Sequence, residues 1–219
     1  LIKFFLYNNI MKFQLPKLIP VFPLSGVIYF PETNLPLNIF EQRYLDLVND
    51  CYKSNKYMGM VQAKKNSQEV YKIGCLGKIT KFIKNEDGRV LINLSGISRF
   101  SIKKEVNNTK LYREFEVDYE NFLEDINSNN KDTKNINYQI LVNKIKKFFE
   151  RNGILLNWNE FNKLNENQKI NTLAMISPIS SEEKQTLLET IVIDEKVKVL
   201  TNIIEFYLHD TGEEKNTLQ

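Results

Sequence analysis

Residues 20–44 read PVFPLSGVIYFPETNLPLNIFEQRY, and this stretch decides the fold. Five of the six prolines of the chain lie between Pro16 and Pro36, yet the same stretch is rich in aromatic residues. Proline cannot donate to a sheet ladder, so it is confined to strand starts, edges and bends. Aromatic and β-branched residues favour burial, which a Pro-rich linker does not provide. The stretch therefore predicts short, sharply turning strands followed by a helix.

The composition is typical of a globular protein. The chain has 219 residues, of which 42% are hydrophobic and 26% charged, enough for one large domain or two small ones. Residues 1–120 carry 18 basic and 12 acidic side chains, a net +6, and residues 121–219 carry 12 and 15, a net −3. Of the 30 basic residues 25 are Lys, whereas a phosphate-binding face usually recruits Arg. We therefore favour a compositional bias over a nucleic-acid face.

The opening stretch is assigned two strands and a helix. The strands are predicted at residues 18–24 and 27–30, and the helix runs from an N-cap at Asn38 to about Tyr52. Glu41, three residues after Asn38, is its expected capping-box partner. The expected buried stripe of this helix is Phe40, Tyr44, Leu47, Val48 and Cys51.

A tight hairpin is the clearest signal further along the chain. Residues 74–84 and 89–95 flank a turn at Asp87-Gly88, which supplies the positive φ angles that such turns need. Other strands are predicted at residues 58–63, 100–106 and 112–119. The first half of the chain thus has six or seven strands interrupted by one helix.

The pattern changes to a helical period after a polar stretch. Residues 124–135 read EDINSNNKDTKN, with almost nothing to bury, and apolar residues then recur at helical spacing in five segments. Residues 180–183, which read SSEE, predict a capping box at the start of the fourth segment. The predicted organisation is a disordered extension at 1–16, a β domain at 17–123, a polar linker at 124–135, a helical bundle at 136–210 and a frayed tail at 211–219.

These blocks resemble the Lon substrate-binding family, the N-terminal domain of the ATP-dependent Lon protease. The matching motifs are PVFPL at 20–24, IYFP at 28–31, LPLNIFEQRY at 35–44, GCLGKI at 74–79, DGR at 87–89 and GISRF at 96–100. The resemblance covers about residues 17–209, and the helical half is similar to stand-alone bacterial members of the family. It implies an α+β fold in which a PUA-like β-barrel with one inserted helix precedes a helical bundle.

Residues for catalysis or metal binding are not evident in the sequence. A phosphate-binding loop requires G-x-x-x-x-G-K-[ST], and the nearest match at Gly77-Lys78 has Lys72 and Ile79 at the other two defining positions. His209 is the only histidine, and Cys51 and Cys75 lie too far apart in sequence for a usual zinc motif, so both are expected to be buried free thiols. The Ser-Lys peptidase pair of the protease has no counterpart. We expect no catalytic residues, no cofactor and no metal.

The candidate peptide-binding residues lie in the opening stretch, where exposed apolar area is expected. They are Tyr29, Phe30, Pro31 and Leu35. The remaining residues of the family signature are expected to be structural: Pro23, Leu24, Phe40, Glu41, Arg43, Tyr44, Gly88, Arg99 and Phe100. For Glu41 and Arg43, ligand binding is the alternative to a structural ion pair or backbone hydrogen bonds that join the helix to the barrel.

The resemblance implies a non-catalytic module that binds unfolded or degron-bearing polypeptide and passes it to a protease complex. An open sheet edge that accepts an extended peptide is the expected binding mode. The alternative is RNA binding, which PUA-like barrels often show, although basic residues do not alternate with aromatic ones in this sequence. A cytoplasmic location and no membrane association are expected, and the oligomeric state is left open.

Overall fold

The computed structural model describes residues 15–65, 67–126 and 136–210. The predicted extension as far as residue 14, the linker from residue 127 and the tail from residue 211 lie outside the described residues. The strands are β1 (Leu18–Leu24), β2 (Asn34–Ile39), β3 (Tyr57–Gln62), β4 (Ile73–Lys84), β5 (Val90–Val106) and β6 (Arg113–Asp118). The helices are α1 (Gln42–Lys53), a 3-10 helix (Glu120–Asp125), α2 (Ile136–Arg151), α3 (Trp158–Asn162), α4 (Glu166–Ile176), α5 (Ser181–Glu189) and α6 (Ile193–Asp210).

The strands form a closed barrel with a three-stranded extension. The order is β2-β5-β4-β3-β1-β6, and β6 also pairs with β5, which closes the barrel. Only β1 and β3 are parallel among the described pairings. The 17 residues of β5 allow it to pair with β2 through residues 90–95 and with β6 through residues 101–106. We call residues 34–39, 78–84 and 90–95 the tip sheet, which begins at the Tyr57–Lys78 pair of the closed part and extends away from it.

The tip sheet changes two of the expected elements. Residues 34–39 form an edge strand that the sequence did not predict, and residues 27–30, predicted as a strand, are irregular. The helix begins at Gln42, because Asn38 is paired with Leu91 in the ladder and is not available as an N-cap. Glu41 takes the N-cap position, but its side chain makes no capping hydrogen bond to the backbone of the helix. The predictions of the Asn38 cap and its capping box are therefore wrong.

The sequence of the irregular segment explains why it avoids the sheet. Tyr29 is buried in the barrel core beneath α1, whereas Ile28 and Phe30 are buried in the core of the helical bundle. Phe30 has no exposed surface and Ile28 retains 4%. The segment thus runs between the two cores and supplies side chains to both, so the bundle packs directly on the barrel.

The helical half follows its capping signals. Ser180 and Glu183 form the predicted capping box at the start of α5, and Asn165 and Gln168 form a second one before α4. Helices α2 and α6 pack against each other, and Lys144 forms an ion pair with Glu205 between them. No described helix is long and apolar enough to cross a membrane. An α+β architecture with a β-barrel before a helical bundle is confirmed.

Replacing Phe30 with Ala tests how tightly the two cores are joined. We expect Phe30→Ala to lower the free energy of unfolding by about 3–5 kcal/mol, because a fully buried ring is lost and a cavity remains. Urea denaturation followed by circular dichroism measures this change. Phe206→Ala is the matched control, since its ring is 62% exposed and should cost under about 1 kcal/mol. Equal losses in the two variants would contradict the packing described.

Candidate functional site

The structure does not expose the predicted peptide-binding residues as a surface. Tyr29 is 2% exposed and Phe30 is fully buried, so the expectation of exposed apolar area there is wrong. Pro31 is also buried, and Leu35 is half-buried against the barrel core. Burial raises the pKa of Tyr29 well above its ordinary value, so its hydroxyl stays protonated. A peptide therefore has no access to Tyr29, Phe30 or Pro31 in this conformation.

The helix-start motif is a surface feature with one buried anchor. Arg43 pairs with Glu41 at 2.9 Å, and both side chains are about half exposed. This ion pair lies within one segment and does not join the helix to the barrel. Tyr44 does so, because it is buried and its hydroxyl donates to the Pro23 carbonyl at 3.5 Å. Phe40, expected in the core, is instead 66% exposed.

Other residues of the family signature lie in the β4–β5 turn and in the barrel. Gly88 has a φ of +85° in the turn, as the Asp-Gly signal predicts. Leu24 is half-buried at the end of β1, beside the barrel core. Phe100 is fully buried in the barrel. A Cβ on Gly74 would come within 2.7 Å of the Phe100 ring, which explains why glycine stands at that position.

Arg99 forms the strongest polar contact between the barrel and the bundle. Its side chain is 4% exposed and pairs with Asp125, with Nε donating to Oδ2 at 2.9 Å and Nη2 to Oδ1 at 2.8 Å. Nη1 donates to the carbonyls of Leu188 at 3.1 Å and Thr190 at 2.6 Å. One guanidinium group thus binds β5, the 3-10 helix and the end of α5 together.

Lys196 and Asn171 extend this contact into a buried polar cluster. Lys196 is 2% exposed and its Nζ donates to the Asn171 Oδ1 at 3.0 Å. The Asn171 Nδ2 in turn donates to the Pro31 carbonyl at 3.0 Å. Burial, together with the charge of Arg99, lowers the pKa of Lys196 to about 7. We call Arg99, Asp125, Asn171 and Lys196 the junction.

The lowered pKa of Lys196 predicts a pH-dependent stability. Between pH 7 and 10 the unfolded chain binds a proton at this amine that the folded chain does not, so folding becomes more favourable as the pH rises. From pH 7 to 9 the unfolding free energy should rise by roughly 2 kcal/mol relative to that of Lys196→Met. Chemical denaturation at several pH values measures the difference.

Lys198→Met provides the control for this measurement. Lys198 lies on the same helix but is exposed. The difference in unfolding free energy between this variant and the wild type should not change from pH 7 to 9. A Lys196→Met variant whose difference from the wild type is equally flat would show that the buried amine stays charged.

An exposed apolar area lies on the outer face of the tip sheet. Side chains of β2 alternate, so Leu35, Leu37 and Ile39 point to the core and the residues between them point to solvent. Across the sheet, Leu91 of β5 is paired on one side with Asn38 of β2 and on the other side with Ile83 of β4. Leu91 and Ile83 are each 40% exposed. We call Pro36, Asn38, Phe40, Lys81, Ile83 and Leu91 the tip surface.

A shallow groove of about 380 Å³ runs over this surface. Asn93 lies between Pro36 and Lys81, and it donates to the Thr80 hydroxyl at 3.0 Å and to the Asn34 Oδ1 at 3.3 Å. These bonds hold the amide side chains of neighbouring strands in place. The groove therefore combines an apolar floor with a few fixed amide groups, a composition that ligand-binding clefts share.

The outer edge of β2 is poorly suited to adding a long strand. The Gly96 N–H donates to the Thr33 carbonyl at 2.9 Å, so the backbone groups of odd-numbered residues of β2 point to β5. The backbone groups of the even-numbered residues Asn34, Pro36 and Asn38 consequently point away from the sheet. Pro36 has no N–H to offer there, which interrupts the edge. Recognition through side chains on the face is better supported than the predicted strand addition.

A second groove, of about 860 Å³, lies at the opposite end of the barrel. Its apolar lining includes Leu15, Leu18, Leu123 and Ile126. Residues 14 and 127, which continue the chain from two of these, lie outside the described residues. The tip surface is the better-defined candidate, because each of the three segments that form it is described without a gap.

The junction and the tip surface are formed mostly by residues that the sequence did not single out. Asp125 lies in a stretch that reads as a polar linker, and Lys196 looks like a solvent-facing lysine. Its position directly before Val197 and four residues before Leu200 on the apolar stripe of α6 was the only available signal. Leu91 and Ile83 appeared only as alternating residues of a hairpin.

Comparison with known proteins agrees with the fold. The family profile described as the ATP-dependent protease La (LON) substrate-binding domain matches residues 18–205. A Lon protease of Cytophaga hutchinsonii is 28% identical over 101 residues, 43% of this chain and 12% of that protein. A Lon protease of Buchnera aphidicola is 26% identical over 202 residues, 85% of this chain and 25% of that protein. The chain thus spans a quarter or less of the length of these relatives.

Two solved structures share the architecture. The Lon N-terminal domain protein from Xanthomonas campestris superposes with a TM-score of 0.63 at 21% identity, covering 85% of this chain and 98% of that one. The N-terminal domain of the Mycobacterium avium complex Lon protease gives 0.61 at 16% identity, covering 86% and 98%. At these identities the likeness establishes the fold, and the predicted PUA-like barrel with a helical bundle is confirmed.

Proposed function

Because the chain belongs to the family of the ATP-dependent protease La (LON) substrate-binding domain, we propose that it binds unfolded or degron-bearing polypeptide at the tip surface and performs no chemistry itself. Its role is to recognise clients of a protein quality-control system, and a protease complex is the partner that would receive them. Family membership supports substrate recognition in general. The location on the tip surface rests on the geometry described above.

One observation supports the location: an apolar face that residues 15–65, 67–126 and 136–210 leave uncovered. Ile83 and Leu91 are each 40% exposed and are paired across two strands, and Phe40, which directly follows the end of β2, is 66% exposed. Large apolar side chains exposed together, with polar groups around them, mark interaction surfaces. Unfolded polypeptides differ from folded ones in presenting apolar side chains, so an apolar face selects them without reading a fixed sequence.

The surface is also suited to repeated binding and release. Amide side chains held by mutual hydrogen bonds, such as Asn93 on Thr80 and Asn34, do not have to be ordered when a peptide arrives. The groove is shallow, so few apolar atoms are buried by any one peptide. Modest affinity and broad selectivity follow, and both suit a module that accepts many clients and passes them on.

Removing the apolar floor should weaken peptide binding without unfolding the protein. We expect the double variant Ile83→Ser/Leu91→Ser to bind an unfolded polypeptide at least about tenfold more weakly, because two exposed apolar contacts disappear. Fluorescence anisotropy with a labelled, permanently unfolded peptide measures the affinity. The control is Leu111→Ser/Leu155→Ser, which removes two leucines that are 65% and 98% exposed elsewhere.

Salt separates this proposal from RNA binding. Apolar peptide binding should persist from 50 to 500 mM salt, whereas affinity for nucleic acid falls steeply with salt. Unchanged peptide affinity in the tip-surface variant would place the peptide site elsewhere. Strong retention of RNA at low salt, with no peptide binding at any salt, would support the nucleic-acid alternative.

A further inference from the structure

We propose that the tip surface selects among apolar segments, preferring those with a carboxylate two residues from the apolar anchor. This selectivity rests on the proposed function and adds a class of client to it. The preference follows from the positive charge of Lys81 and from its distance to the apolar floor that Ile83 and Leu91 form. An extended peptide lying on the sheet would meet the floor with one side chain and a lysine with the side chain two positions away.

The strands of the tip sheet, with Phe40 and Arg89 at their ends, carry basic but no acidic side chains, whereas Glu86 and Asp87 lie in the hairpin turn beside them. Residues 34–40, 78–84 and 89–95 contain Lys78, Lys81, Lys84 and Arg89, and no Asp or Glu. Arg89 pairs with Asp87 of the hairpin turn at 3.3 Å, with both side chains more than half exposed. None of the salt bridges formed among the described residues includes Lys81 or Lys84.

The opposite end of the same barrel is different. There the basic residues of β5 and β6 are neutralised within the chain. The pairs are Lys103 with Asp118, Lys104 with Glu116 and Arg113 with Glu105. A lysine-rich composition alone therefore does not explain the tip, because the same composition is accompanied by carboxylates elsewhere. The tip sheet is left with a positive potential that a carboxylate from a partner can complement.

The register fixes where that carboxylate must lie. Lys81 of β4 is paired with Asn93 of β5, and Ile83 of β4 is paired with Leu91 of β5. The lysine therefore lies two residues along the sheet from the apolar Ile83–Leu91 pair. Two residues of an extended chain span about 7 Å. A peptide with an apolar side chain over Leu91 and Ile83 therefore brings a carboxylate at its second neighbouring position to Lys81. Arg89, two residues from Leu91 on the other side, provides a second and weaker contact because Asp87 already pairs with it.

A cationic face also attracts phosphate, but the composition of the tip surface favours a polypeptide. Its exposed groups are aliphatic and amide side chains, and Phe40 is the single aromatic residue among those that form the tip surface. Single-stranded nucleic acid is usually held by several aromatic rings on which successive bases stack. Side chains of alternating apolar and acidic character fit both the floor and Lys81, so an acidic apolar peptide is the better partner.

Three labelled peptides test the preference. They share one extended apolar core and carry Asp, Asn or Lys at the positions two residues either side of the central Leu. The full chain should bind the Asp peptide about tenfold more tightly than the Asn peptide, or about threefold for each carboxylate, as expected of exposed ion pairs. The Lys peptide should bind most weakly, and the differences should shrink at 500 mM salt.

Two lysine variants locate the effect. Lys81→Gln should reduce the Asp-to-Asn affinity ratio to about threefold or less. Lys104→Gln, which removes a lysine from the opposite end of the barrel, should leave the ratio unchanged. Equal affinity of the wild type for all three peptides would overturn the selectivity while leaving the proposed function in place. Binding of none of them would contradict the proposed function itself, and displacement of every peptide by a single-stranded RNA would overturn both.

Discussion

The paired burial of Arg99 and Asp125 is the constraint on which the rest of the structure depends. A guanidinium with 4% of its surface exposed is tolerated only if its charge and its donors are satisfied. Asp125 neutralises it, and the carbonyls of Leu188 and Thr190 take the remaining donor. These partners come from two separate parts of the chain, so the pairing fixes how the bundle sits on the barrel.

The junction also determines which face of the barrel remains open. The bundle occupies the base of the β4–β5 hairpin, where Gln185 of α5 donates to the Ile73 carbonyl at 3.1 Å. β4 is 12 residues long, so its other end lies roughly 30 Å away. Ile83 and Leu91, at the far end of the tip sheet, are therefore out of reach of these contacts, and each remains 40% exposed. The helical half covers one end of the barrel, and we propose that recognition takes place at the other end.

Local signals in the sequence were sufficient wherever local physics decides the structure. The Asp-Gly turn at Gly88 and the Ser180–Glu183 capping box are formed by residues within one turn of each other, and both were predicted. Cys51 and Cys75 are buried free thiols, as their apolar surroundings indicated. The barrel followed by a bundle was also evident, because the change from strand alternation to helical spacing is a property of each segment by itself.

The errors arose where distant residues decide the outcome. Asn38 and Glu41 have the spacing of a capping box, but pairing of Asn38 with Leu91 turns the segment into an edge strand. That pairing also leaves Phe40 exposed, although its spacing placed it on the helix stripe. The exposure expected at Phe30 failed because the segment between β1 and β2 is covered by the bundle. The tip surface requires three strands to align across about fifty residues of sequence, which no local pattern reveals.

We propose that the tip surface, and not the bundle, contacts the client polypeptide. Nuclear magnetic resonance titration of the isotope-labelled chain with an unfolded acidic peptide tests this contact. Chemical-shift changes should concentrate in residues 34–40, 78–84 and 89–95, while the amides of α2 and α6 stay unchanged. Shifts that instead concentrate on those helices, or around Leu18 and Leu123 at the opposite end of the barrel, would contradict it.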